Sequence, residues 1–250
     1  ANAQKVVIAY RDGANSNYGT AIVGTVSGTS ISFGTEVVFE SAYSSHFSIS
    51  YDSNAQKVVI GYKDNGNSNA GTAIVGTVSG TSISFGTAVV FNSTFSGTKA
   101  SAYDANAQKV VIAYRDEGNS DHGYVVVGTV SGTSISFTTP AVFESAGTDD
   151  ITATYDANAQ KVVIAYKDAG NLSYGTAVVF QAAFSNTNLT SENYIGISDA
   201  AYSDTATATI QIVGAVDDAQ SGLTAGQKYY VQADGSLGLT AGDPEVFAGT

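Results

Sequence analysis

Eight of the ten basic residues in this chain fall at two recurring positions: Lys5, Lys57, Lys109 and Lys161, then Arg11, Lys63, Arg115 and Lys167. An aspartate follows each member of the second set, at Asp12, Asp64, Asp116 and Asp168. Two chemistries fit. One is a ring of cations for the carboxylates of a bound substrate. The other is charge pairing with the adjacent aspartates at strand ends, worth about 0–1 kcal/mol per exposed pair. The repetition favours the second, because an active site needs an acid, a base and a nucleophile in distinct surroundings, and here every candidate recurs.

The segments after these aspartates are dense in side-chain oxygen: DGANSNYG from Asp12, DNGNSNAG from Asp64, DEGNSDHG from Asp116 and DAGNLSYG from Asp168. Such turns could ligate Ca2+, which takes six or more oxygens. They lack EF-hand spacing and its terminal glutamate, and aspartate capping of a turn explains the same residues. No cofactor is therefore expected, with Ca2+ as the alternative. The two histidines, His46 and His122, have no partner at metal-ligand spacing, and the absence of cysteine excludes thiolate sites and disulfides. No phosphate-binding glycine motif is present. A net charge of −12 argues against an unaided nucleic-acid partner. No apolar run approaches the roughly 20 residues of a membrane helix.

These residues are placed by an internal repeat. NAQKVVI begins at Asn2, Asn54, Asn106 and Asn158, a constant spacing of 52, and GTVSGTSISF recurs at Gly24, Gly76 and Gly128. Each repeat reads as four short strands: A ending in Tyr-Asp, B from Lys5, C from Gly19 and D from Ser30. In KVVIAYR both alternating faces are apolar, so strand B is expected between two neighbouring layers. The fold class is all-β. The spacing predicts a β-propeller-like array of four-stranded antiparallel blades, with stacked sheets or a β-solenoid as alternatives. Residues 1–180 hold four repeats, two of them partial, and residues 181–250 a small β-rich C-terminal domain.

The copies differ in an organised way. In the 52-residue frame, residues 42–50, 94–102 and 146–154 are the variable D-to-A connections, and the B–C turns also vary, whereas NAQK and VSGTS hardly change. Alternate turns of a meander lie at the same end, so the variation is expected on one face, as in a binding surface on a rigid scaffold. The candidate ligand residues there are Tyr18, Tyr43, Phe95 and Tyr174 as aromatic platforms. Asn15, Asn17, Asn67, Asn69, Asn119 and Asp121 are the polar partners, joined by His46 and His122. Neutral drift in exposed loops is the competing explanation.

Residues 188–204 (NLTSENYIGISDAAYSD), 216–237 (VDDAQSGLTAGQKYYVQADGSL) and 243–250 (DPEVFAGT) resemble C-terminal segments of tail-fibre-like virion proteins of tailed, marine-type phages. The KVVIAYRD and GTVSGTSISF repeats are similar to propeller-like arrays in such proteins. The resemblance implies a non-enzymatic, extracellular component of the virion surface or tail. It would be a homo-oligomer, trimeric by fibre analogy, or assembled with other virion proteins, and would contact a cell-surface glycan or receptor. The alternative is a sialidase-like glycoside hydrolase propeller. That would need two non-equivalent carboxylates about 5–10 Å apart. It would also carry S-x-D-x-G-x-T-W turns, and the chain has neither tryptophan nor such a turn.

Overall fold

The computed structural model describes residues 5–182 continuously, together with Ile197–Ser198, Ile210–Gln211, residues 228–231 and 237–239, and Phe247–Gly249. The chain divides into two compact units, Ala1–Ala183 and Phe184–Thr250.

The first unit repeats one pattern. The strands are β1 (Lys5–Asp12), β2 (Tyr18–Ser27), β3 (Ser30–Phe33) and β4 (Val37–Asp52). They are followed by β5 (Lys57–Asp64), β6 (Ala70–Ser79), β7 (Ser82–Phe85) and β8 (Val89–Asp104). Next come β9 (Lys109–Asp116), β10 (His122–Ser131), β11 (Ser134–Phe137) and β12 (Ala141–Asp156). The last pair is β13 (Lys161–Asp168) and β14 (Tyr174–Phe180), joined by one 3-10 turn at Ala169–Asn171. Strand C, represented by β2, β6 and β10, pairs only with B and D, as the hairpin signals require. The VSGT loops have two residues, with Ser27 opposite Ser30. Gly28, at φ 58°, is the loop residue with positive φ, which is the type II′ geometry that glycine at the first central position permits.

Strand D, expected as one element from Ser30, divides into the short β3, β7 and β11 and a second part that joins strand A in single sixteen-residue strands, β4, β8 and β12. Nothing in VVFESAYSSHFSISYD breaks a strand. Instead the register shifts between Ser45 and Ser48, where His46 adopts φ 51°, and the strand bends through a bulge. The same shift falls between Ser96 and Lys99 and between Asp149 and Thr152. Because each long strand serves two meanders, fourteen strands join into one antiparallel sheet that does not close.

Successive meanders pack face to face. Ala21 and Val23 meet Val58, Ile60, Tyr62, Ile74 and Ile83 in one cluster. Val59, Ala73 and Val75 meet Val110, Ile112 and Tyr114 in the next. Val111, Ala113 and Val125 meet Val162, Ile164 and Tyr166 in the third. Alternate residues of β5 and β9 thus enter opposite clusters, so both faces of these two B strands are covered as their composition demands, whereas β1 leaves Val6 and Ile8 exposed. Each fully buried valine or isoleucine contributes about 1.5–3 kcal/mol. The recurring tyrosine packs against a D-strand phenylalanine, with centroids 5.3 Å apart for Phe39–Tyr62, 5.1 Å for Phe91–Tyr114 and 5.1 Å for Phe143–Tyr166.

In the second unit, β15 (Ile197–Ser198) pairs with β16 (Ile210–Gln211), and β17 (Tyr229–Val231) lies between β18 (Leu237–Gly238) and β19 (Phe247–Gly249). Strands β17 and β18 flank the Asp234-Gly235 turn signal, with Val231 opposite Leu237. The turn itself lies outside the described residues.

Candidate functional site

The two ends of the first unit are built differently. At one end, Asp52, Asp104 and Asp156 each accept two turn N–H groups, those of the residues two and three further on, at 2.8–3.0 Å. This is one motif used three times. At the other end the B–C turns meet the bulged segments of the long strands. The Ser44 N–H donates to Asn17 O at 3.2 Å, that of Ser96 to Asn69 O at 3.0 Å, and that of Thr148 to Asp121 O at 2.8 Å. The variable turns and the variable strand segments therefore share one end.

The aspartates that open the B–C turns do not pair with the cations beside them. Neighbouring residues of a strand point to opposite faces, so the Asp12 carboxylate turns inward to accept from Ala14 and Asn15, and Asp168 from Gly170 and Asn171. Asp64 and Asp116 do the same. Among the described residues, no three acidic or histidine side chains are placed to share a metal ion.

Arg11 turns to Tyr43 instead, and among the described residues it is only between the second and third meanders that the freed cations form a network. Lys63 Nζ lies 3.0 Å from Glu117 Oε2 and 3.6 Å from the centre of the Phe95 ring. Arg115 pairs with the other oxygen of Glu117, and lies 3.5 Å from Asp121 Oδ1 and 3.5 Å from Asp149 Oδ1. Beside them is Lys99, only 7% exposed, whose Nζ donates to Gly97 O at 2.9 Å. Its counterparts in the repeat frame are Phe47 and Ile151. A lysine therefore replaces a core residue, and its stem passes Gly61, where the other copies have alanine and where a Cβ would meet Lys99 Cδ at 3.7 Å.

Burial, then the nearby Lys63 charge, pulls the Lys99 ammonium down to about 7 against the opposing pull of Glu117. Burial would raise Glu117, but hydrogen bonds from Arg115 and Lys63 outweigh it and hold the carboxyl below its ordinary value. His46 is lowered by burial and then by Lys99 and Lys63. The result is a mixed-charge network in which Glu117 bridges Lys63 and Arg115, with Asp121 and Asp149 flanking the guanidinium.

The structure places the twelve expected ligand residues as follows: Asn17, at φ 61°, accepts the Ser44 N–H through its backbone oxygen, as described above. Tyr18 stands opposite Tyr43, whose ring carries Arg11, with the guanidinium carbon 5.2 Å from its centre. His46 sits on the bulge with Nδ1 3.1 Å from Ser45 Oγ, which leads through Asn65 to Asn69. Phe95 and Asp121 belong to the ion network, while the Asn119 side chain turns to the Tyr124 hydroxyl. His122 is half-buried opposite Asp116 and Gly147. Asn15 and Asn67 are exposed turn residues, and Tyr174, 60% exposed, opens β14 away from the network. Lys99 and Asp149 are legible in the sequence as departures between copies. The central role of Glu117 is not, although its counterparts Gly13, Asn65 and Ala169 carry no charge.

No protein-family model matches the chain, and no curated protein matches it in sequence.

The network has a testable signature. Glu117→Gln should lower stability by about 1–2 kcal/mol, less than for a fully buried pair because both partners retain some solvent. The depressed carboxyl stabilises the fold above its ordinary 4.5 and loses that contribution as pH falls through its folded value. The gap in Tm between wild type and variant should therefore be present at pH 7 and shrink towards pH 3. A gap that does not change with pH would rule out the ionised carboxylate as its source.

Proposed function

We propose that this chain is a non-catalytic attachment module, a propeller-type arc within an extracellular fibre or virion-surface assembly, which holds a glycan or receptor on its variable end. One observation carries the reading: at that end the copies keep one backbone and change its side chains. Ser16 and Asn17, Ser68 and Asn69, Ser120 and Asp121, and Leu172 and Ser173 all take φ between 53° and 62°. Serine and asparagine recur at these positions in the first two copies and depart at Asp121, Leu172 and Ser173, while the next position changes in most copies, to Tyr18, Ala70, His122 and Tyr174. A fixed frame presenting varied side chains is how binding loops are arranged. Tyr43, Phe95 and Tyr174 are exposed there at 41%, 41% and 60%, giving aromatic faces beside amides and hydroxyls, the combination that sugars use.

The propeller reading is supported by the face-to-face packing of consecutive meanders, and among the described residues β1 and β14 each pair on one side only, which supports assembly with further copies or other virion proteins. A homo-oligomer follows, and fibre resemblance favours a trimer. Hydrolysis is disfavoured by the acids available: a glycosidase needs one carboxyl kept protonated, and Glu117 is held in the opposite direction.

The test is a glycan array that includes sialylated sugars, run beside a hydrolysis assay on aryl glycosides. Tyr43→Ala and Phe95→Ala should each weaken binding about tenfold, while Ser30→Ala, at the other end, leaves it unchanged. Binding lost through Ser30→Ala alone would assign the opposite end. Glycoside turnover, or no binding to any glycan or host cell surface, would refute the reading.

A further inference from the structure

We infer that Asn65 and Gly66 form a self-modifying site, at which the Asn65 side chain exchanges its amide for a hydroxyl from water and becomes a carboxylate between Arg11 and Lys63. Asn65-Gly66 is the only Asn-Gly step in the chain. With no Cβ on the second residue, its backbone can rotate freely and its amide nitrogen can approach the side-chain carbonyl carbon of the asparagine. The fold leaves this nitrogen uncommitted. In the other three B–C turns the equivalent N–H donates to the capping aspartate: Ala14 to Asp12 at 3.0 Å, Gly118 to Asp116 at 3.0 Å and Gly170 to Asp168 at 2.8 Å. In the second copy Asp64 accepts from Asn67 at 3.1 Å, and among the described residues the Gly66 N–H donates to nothing. Gly66 is exposed, so water reaches it.

The carboxamide is activated from its other side by the β4 bulge. The Ser45 hydroxyl donates to Asn65 Oδ1 at 3.3 Å, and His46 Nδ1 lies 3.1 Å from Ser45 Oγ. A donor at that oxygen polarises the carbonyl carbon and stabilises the negative charge that develops there as the nitrogen attacks. The bond from Gly66 N to Asn65 Cγ forms, the Gly66 amide proton passes through water to Nδ2, and the Cγ–Nδ2 bond breaks. Ammonia leaves, and a five-membered cyclic imide remains. Water then opens the imide at either carbonyl, giving aspartate or isoaspartate. One carboxamide and one water become one carboxylate and one ammonium ion, with no change of oxidation state.

The repeat sets where the new charge falls. Asn65 is the counterpart of Glu117, with Arg11 and Lys63 in the places of Lys63 and Arg115. The Asn65 N–H donates to Tyr43 O at 3.0 Å as that of Glu117 donates to Phe95 O at 2.8 Å. Arg11 lies over the Tyr43 ring as Lys63 lies over that of Phe95. The product gives the second copy an acid that the third copy encodes. It changes the charge of the variable end whatever binds there.

The test is to hold the purified full chain at neutral pH and body temperature and follow its peptides by mass spectrometry. A gain of about 1 Da with one negative charge is expected at Asn65. It should form at least about tenfold faster than at Asn67, Asn69 or Asn119, each followed by a residue with a side chain. Ser45→Ala removes the donor and should slow conversion about fivefold in the folded chain, while leaving the rate in urea unchanged. No gain at Asn65, conversion no faster than at Asn67 and Asn69, or equal rates for Ser45→Ala and wild type in the folded state would each overturn the inference.

Discussion

Replacing Lys99 with methionine is expected to make the protein more stable, by about 1–4 kcal/mol, the range seen when apolar residues replace buried charge. For a domain of this size that is a rise in Tm of roughly 2–15 °C. The unbranched methionine follows the lysine stem past Gly61 and removes a cation held beside Lys63 and Arg115. The pH dependence identifies the cause. A base lowered from 10.5 to about 7 leaves the unfolded chain holding more protons between those values, so stability from this group rises with pH across that window and its full cost is present below about 7. The advantage of the methionine variant should be greatest at pH 6–7 and shrink by pH 9.5. Urea melts of both proteins at these pH values measure it. An advantage independent of pH would mean that packing rather than charge is responsible. Destabilisation at pH 7 would mean that the lysine is a net contributor to the fold.

Gly86→Ala is expected to destabilise by about 3 kcal/mol, the upper part of the usual range for overpacking. A Cβ at Gly86 would stand 1.9 Å from the carbonyl oxygen of Thr133 in the next meander, and Gly34 meets Thr81 in the same way. Backbone cannot swing aside as a side chain can, so the stacking of two meanders must shift. The third copy supplies the control. Thr138 occupies the equivalent position, and the fourth repeat carries no VSGT turn for it to strike. Thr138→Ala removes only an exposed hydroxyl, 3.2 Å from the Val127 N–H, and should cost less than about 1 kcal/mol. Thermal melts of the three proteins test this. Equal stability for Gly86→Ala and wild type would mean that the meanders are not in such close approach.

The strand register was readable because local chemistry and global packing agree. KVVIAYRD predicts β1, β5, β9 and β13 to the residue, and the Ser-Gly loops predict the C–D hairpins. The end shared by the B–C turns and the long-strand bulges followed from counting reversals in a meander. The candidate site was only partly legible. His46, Phe95 and Asp121 were marked by their variation between copies, but Lys63 and Arg115 were expected to pair with Asp64 and Asp116. A sequence shows that two charges are adjacent in the chain. It does not show that strand geometry turns them to opposite faces, where one caps a turn and the other crosses to Glu117, fifty-four residues from Lys63.

What the sequence by itself determined is therefore the unit: the 52-residue period, the all-β content, the hairpin turns and the two apolar faces of each B strand, all encoded within a few residues of one another. Only the tertiary structure decided how the units join. Strands D and A fused into one because nothing interrupts them and a bulge can absorb the bend. The sheet remained one open path. Charges from different repeats converged on Glu117 because stacking brings one end of β5 beside one end of β9. Those outcomes depend on which faces meet across the stack, a long-range condition that no local run of residues carries.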